Sequence, residues 1–424
     1  MKKAKKQTPE SALVIGGGVV GLACAVNLQL KGIKTVVIDP VITRRAASWG
    51  NAGHLAIEQV EPLASRATLR DSPRRLFSRG GALSLPPREF CTWLPFALRL
   101  IRASRPDRFY AGKAALSAAL SAAIPAWQRI AETANAAHLV LEDGHFIVWE
   151  TSAGARAGRA AWSRADTGSA SFRDATDQEL AILAARMSHA PAGAIRFLGT
   201  GRILDLGELA ERLAASFAML GGTQRCDRVR RLALVQSAAS AILESGEMLH
   251  ADAIVVAASV ASKLLLEPLG YKVPIVAERG YHIQSVDTDW PTDLPPVVFE
   301  ERSMIVTRFL SGLRAASFVE FGRERSPPDP RKWARLRTQV AALGLSFGGS
   351  GSEWMGARPT LPDYLPAIGR SRRAPNLLYA FGHQHLGLTL AAVTGEAIGA
   401  LAAGEEPAVE LAPFDIERFT RNGP

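Results

Sequence analysis

Cysteine and long apolar runs are scarce in this chain, and each shortage excludes a class of protein. The 424 residues include 3 cysteines, which lie far apart and lack the spacing of a zinc site or a disulfide framework. No uninterrupted apolar run of about 18 residues occurs, so we expect no transmembrane helix. The start MKKAKKQTPE is basic, and no separate signal-type apolar stretch follows it. We therefore expect a basic tail over residues 1–9 and a cytoplasmic protein.

Aromatic residues are also few, at 7%, and acidic residues are outnumbered by basic ones, which gives a net charge of +10. Arginine is spread along the chain rather than clustered with aromatic residues, which argues against a nucleic-acid partner. The positive charge is compatible with peripheral contact with the inner face of the cytoplasmic membrane. A chain of this length should form two domains. Homo- and hetero-oligomers both stay open.

The N-terminal part contains a dinucleotide-binding pattern. An apolar run, Ala12–Ile15, meets GGGVVG, a helical pattern follows, and a second β-branched run ends at Asp39. Gly16 permits a tight turn, Gly18 permits close approach of a pyrophosphate, and Gly21 permits close packing of helix and strand. The helix N-terminus and Asp39 would bind the phosphates and a ribose. The motif alone does not separate FAD from NAD(P).

Later patterns extend this fold. The apolar run Ala253–Ala258 predicts a buried parallel strand that returns to the nucleotide-binding sheet. Alternating runs within Tyr271–Phe321 predict a mixed or antiparallel second sheet. Leu139–Trp149 predicts a hairpin around an Asp-Gly turn. A last strand, Leu377–Phe381, is followed by a helix, Leu388–Ala402.

Six segments in order carry a family resemblance. Besides the glycine-rich unit they are SWGNAGH (Ser48–His54), ADAIVVAAS (Ala251–Ser259), VPIVAERGYHI (Val273–Ile283), LSGLRAASFVEFG (Leu310–Gly322), and WMGARPTLPDYLPAIG with LLYAFGHQHLGLTLAAVTGEAIGALAAG (Trp354–Gly369 and Leu377–Gly404). The chain resembles the FAD-dependent amino-acid oxidoreductases of the D-amino-acid oxidase and glycine oxidase superfamily. Within that group it looks most similar to bacterial D-amino-acid dehydrogenases of the D-hydroxyproline dehydrogenase type. The segments GNAGHLAIEQVEPLAS and GHQHLGLT favour the hydroxyproline type.

The resemblance implies an α/β fold, with a Rossmann-like FAD-binding domain and an inserted α+β domain built on a mixed or antiparallel sheet. The expected FAD-binding domain is discontinuous, over 10–90, 150–270 and 350–424. The expected substrate-binding domain covers 91–149 and 271–349.

The implied cofactor is FAD. Its binding residues would be those of the glycine-rich unit, the flavin-lining loop, the cofactor-passing strand and the C-terminal segment, namely Gly16, Gly18, Val20, Gly21, Asp39, Ser48, Asn51, Ala52, Gly53, Val229, Ala258, Gly382, Leu386, Gly387 and Thr389. The family usually has glycine near Ser259. Because no cysteine follows Cys226, the late-cysteine route to covalent flavin is absent, and non-covalent FAD is expected. A linkage through His54 is the alternative.

Four residues are predicted to handle the substrate, and no metal is expected. Arg358 is the first candidate, because its planar fork can pair with a substrate carboxylate. By strand alternation either Tyr281 or His282 should face the pocket. There Tyr281 would bind the carboxylate and His282 a ring hydroxyl, unless either only packs. His383, or its neighbour His385, would hold the substrate or the flavin carbonyl. Glu278 and Arg279 are interpreted as structural.

The expected reaction is oxidation of a D-amino acid, such as D-hydroxyproline or D-proline, by hydride transfer from Cα to flavin N5. Electrons would pass to a quinone or a carrier protein. Two alternatives stay open: an oxygen-using glycine or sarcosine oxidase, and a non-catalytic flavin-binding subunit of a dehydrogenase complex. An NAD-dependent dehydrogenase fits the first motif but not the C-terminal segments.

Overall fold

The computed structural model describes residues 8–41, 46–349 and 351–420, so most of the predicted basic tail lies outside the described residues. The described strands are β1 (Ser11–Ile15), β2 (Lys34–Asp39), β3 (His54–Leu55), β4 (Leu83–Ser84), β5 (Val140–Leu141), β6 (His145–Trp149), β7 (Ser171–Asp174), β8 (Gly193–Leu198), β9 (Gly201–Ile203), β10 (Thr223–Cys226), β11 (Val229–Val235), β12 (Ala238–Leu243), β13 (Met248–Leu249), β14 (Ala253–Val256), β15 (Val276–Ser285), β16 (Val297–Phe299), β17 (Met304–Phe309), β18 (Gly312–Gly322), β19 (Ser352–Thr360), β20 (Ala367–Arg370) and β21 (Leu377–Phe381). The described helices are α1 (Val19–Leu30), α2 (Arg66–Asp71), α3 (Phe90–Ala103), α4 (Pro106–Ser121), α5 (Ala123–Thr133), α6 (Ser152–Trp162), α7 (Asp177–Ala184), α8 (Leu206–Met219), α9 (Ser262–Leu266), α10 (Pro330–Ala342) and α11 (Gly387–Ala403).

A six-stranded sheet in the order β10-β2-β1-β14-β21-β20 holds the glycine-rich unit. Its strands pair in parallel except β20, which runs antiparallel to β21. Strands β14 and β21 are buried along their whole length, as expected where helices and loops cover both faces of a parallel sheet. Val14 pairs with Val37 on one side and with Val255 on the other, so the chain returns to this sheet as the sequence predicts.

Helices α1 and α11 pack directly against each other on one face of this sheet. The helical segment Gln384–Ala403, 20 residues long, has the length and composition of a membrane span, but 72% of its apolar window is buried inside the protein. It also packs against α5, and Trp127 of that helix donates from Nε1 to the Leu388 carbonyl at 3.0 Å. Because most of this window is buried, we interpret α11 as a core helix.

The second sheet has nine strands in the order β19-β15-β18-β17-β16-β6-β8-β7, with β4 beside β18. Most neighbours are antiparallel, and β16 runs parallel to β6. Helix α10 covers one face of this sheet and packs there against β15 and β18. Two smaller three-stranded sheets, β11-β12-β13 and β3-β9-β5, complete the described strands.

Strand pairing corrects one local prediction and shows which sheet several strands near the expected domain boundaries join. Strands β5 and β6 flank the Asp-Gly turn but do not form a hairpin, because β5 pairs with β9 while β6 pairs with β8 and β16. Strands β7 and β8, predicted within the FAD-binding domain, belong to the nine-stranded sheet, as does β19. Helices α4 and α5, predicted within the substrate domain, pack against α11. Apolar patterning could not show these partners, because it records burial and not which element provides it.

The α1–α11 contact makes a testable prediction about packing. A Cβ at Gly395 would lie 2.6 Å from the Ala23 carbonyl oxygen. Gly→Ala inside a helix normally stabilises by up to about 1 kcal/mol. We expect Gly395→Ala to lower the melting temperature of the FAD-loaded protein instead, because two helix backbones must separate. In the matched control Gly112→Ala, the new Cβ meets its nearest atom at an ordinary 3.4 Å, so stability should hold or rise. Equal behaviour of the two variants would contradict this packing.

Candidate active site

One cavity of about 2040 Å³ runs between the two large sheets. The glycine-rich turn and Asp39 line one part of it. Other parts are lined by the loop that follows β2, by the segment containing α2 and α3, and by β15, β18 and β19. The turn between β21 and α11 also contributes. The cavity therefore extends from the glycine-rich unit to the nine-stranded sheet.

The glycine-rich turn has the geometry that a dinucleotide requires. Gly16 has φ +112°, and a Cβ there would lie 2.4 Å from the Ala257 carbonyl oxygen, so only glycine fits. Gly18 is the N-cap of α1, and Val19 and Val20 of its first turn line the cavity, so the positive end of the helix dipole lies at the cavity. Asp39 ends β2 and accepts a hydrogen bond from Gly17 N at 2.7 Å. Gly16, Gly18, Val20, Gly21 and Asp39 all line the cavity.

The predicted flavin-lining loop is held by the second sheet. Ser48, Asn51 and Ala52 line the cavity, while Gly53 is not among its lining residues. Arg314 of β18 donates to the backbone carbonyls of Trp49 and Asn51, and its own fork is fixed by Gln284 Oε1 at 2.9 and 2.7 Å. Burial lowers the pKa of Arg314 to about 10, so the side chain stays charged at neutral pH. Sequence reasoning did not single out Arg314.

His282 of β15 supports the same loop. Its Nδ1 lies 3.0 Å from the Gly50 carbonyl oxygen, and its ring stacks on Trp354 at 5.0 Å between centroids. Burial lowers the pKa of His282 to about 3, so the ring is neutral and donates to that carbonyl. His282 is not among the cavity-lining residues. The structure therefore gives it a role in positioning the loop, not the predicted contact with a ring hydroxyl.

Ser48 also serves the nucleotide-binding helix. Its Oγ accepts a hydrogen bond from Val19 N at 3.2 Å, at the N-terminus of α1. Asn51 Oδ1 accepts from Gly53 N at 2.8 Å and fixes the turn there.

The remaining predicted cofactor residues divide into two groups. Val229, Ala258 and Gly387 line the cavity. Ser259 has φ +55°, a conformation that favours glycine, which fits the glycine that the resemblance implies near this position. Three others do not line the cavity, namely Gly382, Leu386 and Thr389. The Thr389 Oγ1 accepts a hydrogen bond from Ala56 N at 3.0 Å.

Arg358 lies on β19, directly beside Glu278 of β15 in the strand register. Its Nη1 donates to Glu278 Oε1 at 3.1 Å and to the Phe318 carbonyl oxygen at 3.3 Å. The guanidinium covers Gly280, where a Cβ would lie 2.4 Å from Nη2. Glu278 is 1% exposed, whereas the Arg358 side chain is 29% exposed and lines the cavity. The arginine thus presents a fixed positive charge to the cavity.

The register next to Arg358 is irregular. A β-bulge interrupts the β15–β18 pairing between Arg279 and Tyr281, and Phe318 within the bulge has φ +71°. Bulges of this kind redirect backbone groups. Here the turned strand supplies the Phe318 carbonyl that binds Arg358.

Tyr281 requires a correction. Its hydroxyl donates to Glu320 Oε1 at 2.9 Å and accepts from Asp329 N at 3.2 Å, and its ring packs against Trp333 of α10. Tyr281 lines the cavity, as strand alternation predicts for one of the two residues, but its hydroxyl bonds to Glu320 and Asp329 on the α10 side of the sheet. Arg279 joins the same buried network by an ion pair with Glu320, as the structural interpretation of Arg279 expects.

The two histidines of the β21–α11 turn differ. His383 lines the cavity, but its Nε2 is hydrogen-bonded to Thr394 Oγ1 at 3.0 Å, and burial lowers its pKa to about 3. His385 also lines the cavity, and no hydrogen bond of its ring is present among the described residues. Burial lowers the pKa of His385 to about 4, so it is neutral. Of the two histidines, His385 therefore has the ring whose nitrogens can more readily bind a ligand.

A buried polar cluster on another wall was missed by sequence reasoning. It consists of His54, Glu58 and His145, whose nearest side-chain N and O atoms all lie within 4.8 Å of one another. All three residues line the cavity. Burial lowers the pKa of His54 to about 4 and raises that of Glu58 to about 8, so the cluster is largely uncharged at neutral pH. The available signal was the spacing of His54 and Glu58, four residues apart in GNAGHLAIEQ.

Comparison with known proteins follows this geometry. A family model described as FAD dependent oxidoreductase matches residues 11–401. The chain belongs to this family. A D-amino-acid oxidase of Bradyrhizobium diazoefficiens is 27% identical over 417 residues, which cover 96% of this chain and 98% of that relative. A D-amino acid dehydrogenase of Cereibacter sphaeroides is 27% identical over 432 residues, which cover 97% and 96%.

Solved structures share the architecture of this FAD-dependent oxidoreductase. Glycine oxidase from Geobacillus kaustophilus superposes with a TM-score of 0.72 at 20% identity, and the match covers 97% of this chain and 99% of that chain. The predicted fold class is confirmed, and so is FAD as the cofactor. The glycine cradle and the cavity that connects it to the second sheet both fit FAD. Non-covalent attachment stays a prediction.

Glu58 gives this site a pH signature. Its folded-state pKa of about 8 lies above the ordinary value of 4.5, so the folded state keeps its proton to higher pH than the unfolded state. The free energy of unfolding should therefore fall as pH rises from about 4.5 to about 8, by at most about 1.4 kcal/mol per pH unit. Glu58→Gln cannot ionise and lacks this loss.

The measurement is the melting temperature of the FAD-loaded wild type and variant at several pH values. Relative to Glu58→Gln, the wild type should lose about 3 °C between about pH 5.5 and 7.5. A constant difference across this range would contradict the neutral, buried state of Glu58.

Proposed function

We propose that this protein oxidises a D-amino acid to the corresponding imine, with a cyclic substrate such as D-hydroxyproline or D-proline. One observation carries the proposal. Arg358 is oriented by buried Glu278 and faces the same cavity as the dinucleotide-binding turn. A guanidinium that is held in place and always charged can orient a substrate by pairing with its carboxylate. The D-amino-acid oxidase and dehydrogenase relatives support this substrate class.

In this mechanism the protein binds and orients, while bound FAD supplies the acceptor for the Cα hydride. Arg358 pairs with the substrate carboxylate and thereby fixes the position of Cα. The histidines in and around the turn are neutral, so the site adds no positive charge there that would oppose the amine. Apolar side chains from β17 and β18 also line the cavity, namely Met304, Ile305 and Phe318.

The acceptor is proposed to be a quinone, reached at the inner face of the cytoplasmic membrane. The surface around α2 and α3 supports this. Residues 62–110 carry ten arginines and three acidic residues, Asp71, Glu89 and Asp107. The arginines there are Arg66, Arg70, Arg74, Arg75, Arg79, Arg88, Arg99, Arg102, Arg105 and Arg108.

Helix α3 has two apolar faces. One face lines the cavity through Trp93, Phe96 and Leu100. The other exposes Leu98 at 59% and Ile101 at 52%, among the arginines. Exposed apolar residues framed by basic ones suit an anionic phospholipid surface. A quinone carried by that surface would lie one helix thickness from the cavity.

An oxygen-using amino-acid oxidase is the second candidate, because the D-amino-acid oxidase relative is as similar to this chain, at 27% identity, as the dehydrogenases are. A non-catalytic flavin-binding subunit is the remaining alternative. The three are separated by one experiment.

The experiment is a substrate panel with the FAD-loaded protein, run with a dye acceptor and with oxygen. We expect D-hydroxyproline, D-proline or D-alanine to reduce the dye in both the presence and absence of oxygen. Peroxide formation that matches substrate loss would instead establish an oxidase. Failure of every D-amino acid and of N-methylglycine to bleach the flavin under anaerobic conditions would leave the non-catalytic subunit.

Membrane contact is tested with sedimentation of phosphatidylglycerol-containing vesicles. Wild type should bind them more than neutral vesicles, and about 0.5 M salt should weaken binding, because counter-ions screen the arginines. Leu98→Glu with Ile101→Glu should reduce binding at least about tenfold. The control Val286→Glu changes an apolar side chain that is 83% exposed outside this surface, and it should bind like wild type. Equal binding of neutral and anionic vesicles would reject the proposed surface.

A further inference from the structure

The cluster of His54, Glu58 and His145 lies where the flavin-lining loop meets the nine-stranded sheet. His54 begins β3, Glu58 follows that strand, and His145 begins β6. The three side chains come from two different sheets and converge on one cavity wall. The ring of His145 stacks on Phe197 at 4.6 Å, and its Nδ1 lies 2.9 Å from Thr200 Oγ1, so its position is fixed.

Two atoms of the cluster lack a hydrogen-bond partner among the described residues. They are His54 Nε2 and Glu58 Oε2, which lie 3.9 Å apart, and their side chains are 8% and 2% exposed. Buried polar atoms are nearly always satisfied, because an unmet one costs about 1–3 kcal/mol. At 3.9 Å the two atoms are too far apart to satisfy each other. Their geometry therefore calls for a third polar atom.

The distance between His54 Nε2 and Glu58 Oε2, and the charge of their surroundings, limit which chemical group can supply the third atom. A single oxygen at an ordinary hydrogen-bond distance of about 2.8 Å can reach both His54 Nε2 and Glu58 Oε2. A hydroxyl can donate and accept at once, which suits a neutral imidazole beside a carboxyl group. Because burial keeps the cluster largely uncharged, an ionic side chain gains no opposite charge there.

We propose that His54, Glu58 and His145 form a specificity subsite that binds a hydroxyl group on the side chain or ring of the substrate. The inference rests on the proposed function, since it assigns a further contact to the same substrate. Arg358 then holds the carboxylate, and this cluster selects among D-amino acids. The discrimination arises because a substrate without the hydroxyl leaves the two buried atoms unsatisfied.

The expected selectivity for a hydroxylated substrate follows from the cost of leaving a buried polar atom without a hydrogen bond. Sites built to bind a substrate hydroxyl reject analogues without it by up to about 10⁵-fold, and one buried polar group left without a hydrogen bond accounts for about tenfold to a hundredfold. We expect kcat/KM for D-hydroxyproline to exceed that for D-proline by at least about tenfold. Glu58→Leu should bring this ratio close to one, mainly by lowering the value for D-hydroxyproline.

The test measures anaerobic flavin reduction by both amino acids in wild type, Glu58→Leu, Glu58→Gln and the control Glu61→Gln. Glu61 is on the same segment but pairs with Lys113 at the surface, so its variant should keep the wild-type ratio. An equal loss for both amino acids in Glu58→Leu would overturn the subsite, because it would indicate a general structural role. Stoichiometric bound metal that is lost in Glu58→Leu would also overturn it.

A binding measurement separates failure of the subsite from failure of the proposed function. Cyclopentanecarboxylate and its 3-hydroxy derivative lack an amine and are not oxidised, but each can perturb the absorption of the bound flavin. The hydroxylated acid should bind at least about tenfold more tightly to wild type and lose this advantage in Glu58→Leu. If that holds while no amino acid reduces the flavin, the proposed function fails and the subsite stands. Amino-acid oxidation without any hydroxyl preference in either measurement sinks the subsite alone.

Discussion

The buried carboxylate of Glu278 is the constraint on which the site depends. It is 1% exposed, and it accepts hydrogen bonds from Arg358 Nη1, Thr360 Oγ1 and Tyr364 OH, each at 3.1 Å. A buried carboxylate left without such partners would be costly, so the network fixes the register of β15 against β19. As a consequence, the guanidinium of Arg358 is held at Nη1, and the side chain lines the cavity.

The site also depends on a fixed position of the six-stranded sheet relative to the nine-stranded sheet, because the two carry different parts of it. Arg314 and His282 of the nine-stranded sheet bind the carbonyls of the loop that follows β2 in the six-stranded sheet. Thr389 at the start of α11 binds the same loop just beyond, through Ala56 N. The cofactor-binding turn and the substrate-side arginine are therefore parts of one hydrogen-bonded framework. A continuous apolar cluster, which includes Val14 of β1 and Ile147 of β6, joins the same two sheets.

Much of the fold could be predicted from the sequence, because its signals are local. The turn from Gly16 to Asp39, the strand at Ala253–Val256 and the strand at Leu377–Phe381 each combine apolar runs with glycine or β-branched residues. The orientation of Tyr281, the β5–β6 pairing and the cluster around Glu58 were not accessible in this way. A β-bulge, a long-range strand partner and a buried polar contact all depend on residues more than 30 positions away, which periodicity does not record.

The central claim is that Arg358 orients the substrate through its carboxylate, and a cycle of one mutation and one substrate change tests it most directly. The rate of anaerobic flavin reduction is measured for a D-amino acid and for its amide, with wild type and with Arg358→Met. For the acid we expect the mutation to cost at least about a hundredfold in kcat/KM, because it removes a charge-assisted pair. For the amide, which has no carboxylate, the cost should be within about threefold. Equal losses for acid and amide would contradict the account.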